Sequence, residues 1–276
     1  MNTITTELDH LVVAANHLDE GRAWARETLG VEAASGGKHE GLATHNALIK
    51  LDGKRYLEII AIDPDAGAAN FPRWFGLDTA DVREHIMHGP RLVAWVARCV
   101  GATDAIVRLA QTPNYAANVV RPASRGGFHW RFAFTPDGAR IAGGALPHLI
   151  QREGDAHPCD RLIDVGVSLT ALMLAAPEPN VVSNMLQSLC FVDARVQVGQ
   201  STTANLVAIV QTPVGSVVLD FRSCRSGTAV IAPPRAHVML RTTLSPRRNR
   251  IENPARRHIA VALHRSPRAA QHAVLN

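Results

Sequence analysis

Leu8-Asp9-His10-Leu11-Val12-Val13-Ala14-Ala15 and, further along the chain, Tyr56-Leu57-Glu58-Ile59-Ile60 decide how this sequence is read. Both runs are largely apolar and strand-like, and each carries a polar group inside the strand, His10 in the first and Glu58 in the second, that a core does not take without a partner. Strand alternation puts His10, Val12 and Ala14 on one face, and Tyr56, Glu58 and Ile60 on one face. An imidazole and a carboxylate on neighbouring strands are two of the three donors of a common divalent-metal site. A buried His-Glu hydrogen bond or a solvent-facing pair is the alternative that needs no metal.

Between the runs lies one helical pattern. Asn16 is the candidate N-cap, Asp19 and Glu20 complement the helix dipole, and Leu18, Ala25 and Leu29 share a face. Gly30 ends the helix. The loop Gly36-Gly37-Lys38-His39 follows, then strands over 43–51 and 55–62 joined at Asp52-Gly53. The pattern returns twice more. The chain therefore divides into a first strand-helix-strand-strand-strand module over 1–65, a linker over 66–90, a second module over 91–152, a third over 160–224, and a basic tail over 225–276. Such units leave one sheet face bare and must pair to bury it. The expected fold class is α+β: repeated βαβββ modules pairing into a curved mixed sheet that forms a ligand cup, with a C-terminal tail of low structure.

The composition is that of a globular protein, with 46% hydrophobic residues, and no run is long enough to span a membrane. The formal charge of +5 misleads, because the tail holds ten Arg against one acid, Glu252, which leaves residues 1–224 at −4. Charge without aromatic or groove-reading elements does not make a nucleic-acid binder, so neither nucleic acid nor membrane is an expected partner. Cys99, Cys159, Cys190 and Cys224 lack metal-knuckle spacing and read as thiols of a cytoplasmic protein. No nucleophile elbow, phosphate loop or dinucleotide fingerprint occurs.

Leu8-Asp9-His10-Leu11-Val12-Val13, Gly36-Gly37-Lys38-His39, Thr44-His45-Asn46-Ala47-Leu48 and Tyr56-Leu57-Glu58, in that order, resemble the glyoxalase-like branch of the vicinal oxygen chelate superfamily (glyoxalase, bleomycin resistance proteins, extradiol dioxygenases). Ala43 stands where that branch usually has Gly. The resemblance implies paired modules around a cup that usually holds one divalent metal (Zn, Mn, Fe or Ni), with ligands on the first and last strands of the modules. His10 and Glu58 match two such positions. Aligning Pro147-His148-Leu149-Ile150 with Leu57-Glu58-Ile59-Ile60 offers His148 as the third, with His39 as runner-up.

Glu58 and His39 are the candidate catalytic bases. Thr44, Asn46, Trp95 and Trp130 are the candidate substrate contacts. Arg55, Arg125 and Arg131 could bind a carboxylate, although a solvated face is the common fate of Arg. His157-Pro158 reads as a loop feature without chemistry. The expected function is a metal-dependent enzyme acting on a small oxygen-chelating substrate, by isomerase, lyase or dioxygenase chemistry. The alternative is a metal-free binding or resistance protein on the same fold. The small-molecule substrate is the expected partner, and a homodimer through the third module is open.

Overall fold

The computed structural model describes residues 3–222; the basic tail lies outside them. Strand β1 (Thr5–Ala14) leads to helix α1 (Leu18–Trp24), which runs on as a π-helical turn (Ala25–Leu29). Then come β2 (Ala34–His39), β3 (Thr44–Lys50) and β4 (Tyr56–Ile62). Helix α2 (Ala80–Ile86) precedes β5 (Arg91–Val100), α3 (Ala105–Ala110), β6 (Val119–Arg125), β7 (Phe128–Phe134) and β8 (His148–Arg152). The last described elements are β9 (Ser168–Ala176), α4 (Pro179–Ser188), β10 (Val196–Gln200), β11 (Asn205–Thr212) and β12 (Gly215–Asp220).

The first two rounds pair, as their bare faces require. Eight strands form one mixed sheet in the order β2-β3-β4-β1-β5-β8-β7-β6. Each half repeats one pattern: its first strand lies parallel to its last, β1 on β4 and β5 on β8. The halves join where β1 runs antiparallel to β5. The third round forms its own four-stranded sheet, β10-β9-β11-β12, in which the opening strand lies inside the order. It therefore shares the strand-helix start of the other two but not their topology.

Period-two alternation sorts the side chains into two cores. Leu11, Val13, Leu57, Ile59 and Trp95 face the helices and the third round's Leu172, Leu174 and Leu206. Val12, Ala14, Ile60, Ala94 and Val96 face the opposite, concave side.

Two local readings change. Gly36-Gly37-Lys38-His39, expected as a loop, belongs to edge strand β2, whose pairing with β3 is interrupted by a bulge between Ser35 and Lys38. A Cβ on Gly36 would lie 2.0 Å from Asn46 Oδ1 and 2.7 Å from the Asn46 carbonyl oxygen, so the strand passes Asn46 only without a side chain there. The segment 66–90 is more than a connection. It contains α2, capped by Thr79, whose hydroxyl accepts the Val82 N–H at 3.4 Å. Its Trp74, Phe75, Leu77, Val82 and Ile86 pack on the concave core, and so cover part of the cup.

Candidate functional site

The site begins with a bulge in β1. Leu8 pairs with Ala97 and His10 with Val96, which leaves Asp9 without a partner across β5. A bulge re-aims the side chains beside it. Here Asp9, fully buried, lies beside its own neighbour: His10 Nδ1 is 2.6 Å from Asp9 Oδ1. The same carboxylate accepts from Arg152 Nη2 at 2.7 Å and from His157 Nε2 at 3.1 Å. The Cys159 N–H donates to His157 Nδ1 at 3.2 Å, which leaves Nε2 as the proton-bearing nitrogen of that ring. Burial pushes the Asp9 carboxyl up, but the Arg152 charge and the two histidine contacts outweigh it and hold the pKa well below the usual range.

Across the parallel β1–β4 pair, His10 Nε2 lies 3.5 Å from Glu58 Oε2. Both residues are buried, at 3% and 5% exposure, so each needs the other. Burial disfavours the Glu58 charge, but His10 and the Asn46 amide outweigh this and bring it down to about 2. Burial likewise disfavours the His10 imidazolium, and the Asp9 and Glu58 carboxylates outweigh it, raising its pKa. Both shifts favour an imidazolium facing a carboxylate. The ring of Tyr56 stacks on His10 with centroids 4.5 Å apart.

On β3, Asn46 Nδ2 donates to Glu58 Oε1. Asn46 Oδ1 accepts the Gly37 N–H at 2.8 Å and Arg125 Nη1 at 3.2 Å. Arg125 Nη1 is also 3.3 Å from His39 Nε2, and His39 Nδ1 is 3.0 Å from Thr44 Oγ1. A guanidinium only donates, so His39 Nε2 accepts and Nδ1 carries the proton. Burial brings His39 down to about 4, consistent with a neutral ring.

These groups line a cavity of about 40 Å³ walled by Trp74, Phe75, Trp130 and Phe132. Of the residues singled out in the sequence, His10, His39, Asn46, Glu58, Arg125 and Trp130 meet there. Thr44 stands behind His39, with its hydroxyl engaged by that ring. Trp95 is a correction: it pairs with Leu11, sits on the helix side and packs edge-on against Phe191. Arg55 and Arg131 also lie elsewhere, Arg55 on Asp52 and Arg131 on Thr103 and Gln151.

His148 does not join His10 and Glu58. Its ring lies edge-on to Phe75 and near-parallel to Phe132, with Nδ1 3.3 Å from the Ala133 carbonyl oxygen. Phe75, held at φ 60°, is part of that aromatic wall. Burial brings His148 down to about 4, and its Nε2 makes no hydrogen bond among the described residues. Among the described residues no group of three or more His, Cys, Asp or Glu side chains is disposed to hold a metal ion. Two facing donors, with a carboxylate behind the imidazole, fit part of such a centre; the third protein donor does not arrive.

Asp9, Tyr56, Arg152 and His157 were not singled out as site residues. Alternation assigns Asp9 to the wrong face, and a bulge leaves no mark in composition. His157, read as a loop residue, is buried on Asp9 instead.

A family model described as a glyoxalase-like domain matches residues 8–190. No curated protein matches the chain. Among solved structures, a protein from Staphylococcus aureus is similar at 10% identity and a TM-score of 0.50, over 72% of this chain and 87% of that one. Methylmalonyl-CoA epimerase from Mycobacterium tuberculosis is 20% identical, with a TM-score of 0.35, over 54% of this chain and 88% of that one. A variant of 4-hydroxymandelate synthase from Streptomyces coelicolor is 13% identical, with a TM-score of 0.42, over 79% and 63%.

Proposed function

The chain belongs to the glyoxalase-like domain family, and on that premise we propose that it is an enzyme acting on a small oxygen-bearing substrate at the His10–Glu58 pair, by proton transfer beside a carbonyl. The observation that carries this reading is the buried imidazole and carboxylate facing each other at 3.5 Å on the cup surface, each held from behind by a polar partner. In this reading His10 gives its Nε2 proton to the carbonyl oxygen while Glu58 takes the proton from the adjacent carbon; the C–H bond breaks and an enol forms. As His10 loses its charge, the main force depressing the Glu58 pKa disappears, so the carboxylate gains basicity as the proton arrives. Asp9 keeps the imidazole oriented, and Asn46 holds the carboxylate.

A second reading keeps a divalent metal at the same pair, favoured by the Asp9 carboxylate behind His10. His10 Nε2 and Glu58 would hold the metal, which would act as a Lewis acid on a substrate oxygen.

One experiment separates the readings. Small 2-oxo and 2-hydroxy carbonyl compounds are incubated with the protein in D₂O, and deuterium uptake at the adjacent carbon is followed by NMR. The first reading expects uptake that survives a chelator and falls at least about a hundredfold in Glu58→Gln, the scale of general-base catalysis. Uptake lost with chelator and restored by Zn, Mn, Fe or Ni would assign the second. Binding without uptake by any compound would sink both in favour of a binding protein.

A further inference from the structure

β2 and β6 are the two outer edges of the eight-stranded sheet, with six strands between them in its order. The sheet curls far enough for them to meet through one side chain. Arg125, the last residue of β6, reaches His39 on β2 and Asn46 beside it. The meeting is close: a Cβ on Gly37 would lie 2.8 Å from Arg125 Cδ. Gly37 thus leaves the space in which the guanidinium's stem lies.

The partners of Arg125 are unusual for their lack of charge. Arg152, the other arginine lining the cavity, is paired with Asp9 at 2.7 Å. Arg125 has only an amide oxygen and an imidazole nitrogen, and no carboxylate partner among the described residues. It lines the same cavity, of about 40 Å³, as His10 and Glu58. A substrate at His10 and Glu58 therefore comes within reach of its guanidinium.

We propose that Arg125 is the specificity-determining residue of this cup: it takes a carboxylate of the substrate, and in doing so trades its two neutral acceptors for a charged one. The inference rests on the reading of the cup as a small-molecule site. A guanidinium fork matches a carboxylate in two parallel hydrogen bonds, which are stronger than bonds to neutral acceptors. The exchange has a consequence for His39. Its Nε2 lone pair is occupied by Arg125, so departure of the guanidinium toward the ligand frees that nitrogen to face the cup. A carboxylate-bearing substrate would then unmask a base that an uncharged analogue leaves covered.

The test uses binding alone, so it does not depend on any turnover. Lactate, glycolate, pyruvate and propionate, together with lactamide as the uncharged counterpart of lactate, are titrated into the full-length protein and followed by NMR of the tryptophan indole signals. The wild type is expected to bind at least one of the four carboxylates, and lactate at least about tenfold more tightly than lactamide, the factor expected for one charge-assisted contact. Arg125→Gln is expected to lose that preference and Arg125→Lys to keep part of it, with both folded by circular dichroism. Because the readout is binding and not turnover, a failure of the proton-transfer reading would leave this one standing. Equal affinity for lactate and lactamide, an Arg125→Gln variant that keeps the preference, or a wild type that binds none of the four carboxylates would overturn it.

Discussion

Asp9 shows how much one residue can order here and how little of that is legible beforehand. His10 and Glu58 could be read from the sequence, because a polar group inside an apolar strand needs a reason. Asp9 could not, since simple alternation turns it away from His10, and only the bulge opposite Ala97 and Val96 brings the two together. Trp95 failed for the complementary reason: an aromatic residue beside Ala94 gives no sign of which of the two faces the cup. His148 supports a prediction of its own. It is 1% exposed, and burial lowers its pKa from 6.5 to about 4. Between those values the unfolded chain binds the proton and the folded chain does not, so this histidine makes stability fall as pH falls through that window. Denaturant unfolding at pH 7, 6 and 5 is expected to show a shallower loss in His148→Phe than in the wild type, by up to about 1.4 kcal/mol per pH unit. Identical slopes would mean that His148 takes up its proton as readily in the folded protein as in the unfolded chain.

At the scale of elements, β2 is the instructive failure. Two adjacent glycines read as a loop, yet their lack of side chains is what allows this edge strand to bulge past Asn46 and to receive Arg125. The two positions differ in what a methyl group would meet. On Gly36 it would meet the Asn46 backbone as well as its amide; on Gly37 the nearest atoms are Cδ, Nε and Nη1 of Arg125, the far end of a flexible side chain. Gly36→Ala is therefore expected to destabilise the fold by about 1–3 kcal/mol, as overpacking does, and to displace the Asn46 amide from Glu58. Gly37→Ala should cost under half as much. Thermal unfolding of both variants checks this, and equal losses would contradict the close passage at Asn46. The segment 66–90 escaped notice because α2 is only seven residues long and its apolar pair, Val82 and Ile86, is too short a period to stand out. Its Trp74 and Phe75 pack on the concave core and wall the cup.

For the whole molecule, the repeat of strand, helix and strands was legible because each half must bury a sheet face and can do so only against another element. Two halves of the same design then bring their first strands together, β1 against β5, and place His10 and Glu58 in the middle of a continuous curved sheet. The strand order of the third round was not legible, since the same succession of elements admits more than one topology. Among the described residues no helix is long and apolar enough to cross a membrane. The central claim is that the paired halves serve to bring one imidazole and one carboxylate together as a single working unit. A double-mutant cycle on deuterium uptake, comparing His10→Gln, Glu58→Gln and the double variant, tests it most directly. If the two act as one unit, the double variant is no slower than the slower single variant, within about threefold, because either substitution already disables the pair. Losses that multiply, or uptake that neither substitution changes, would contradict the account.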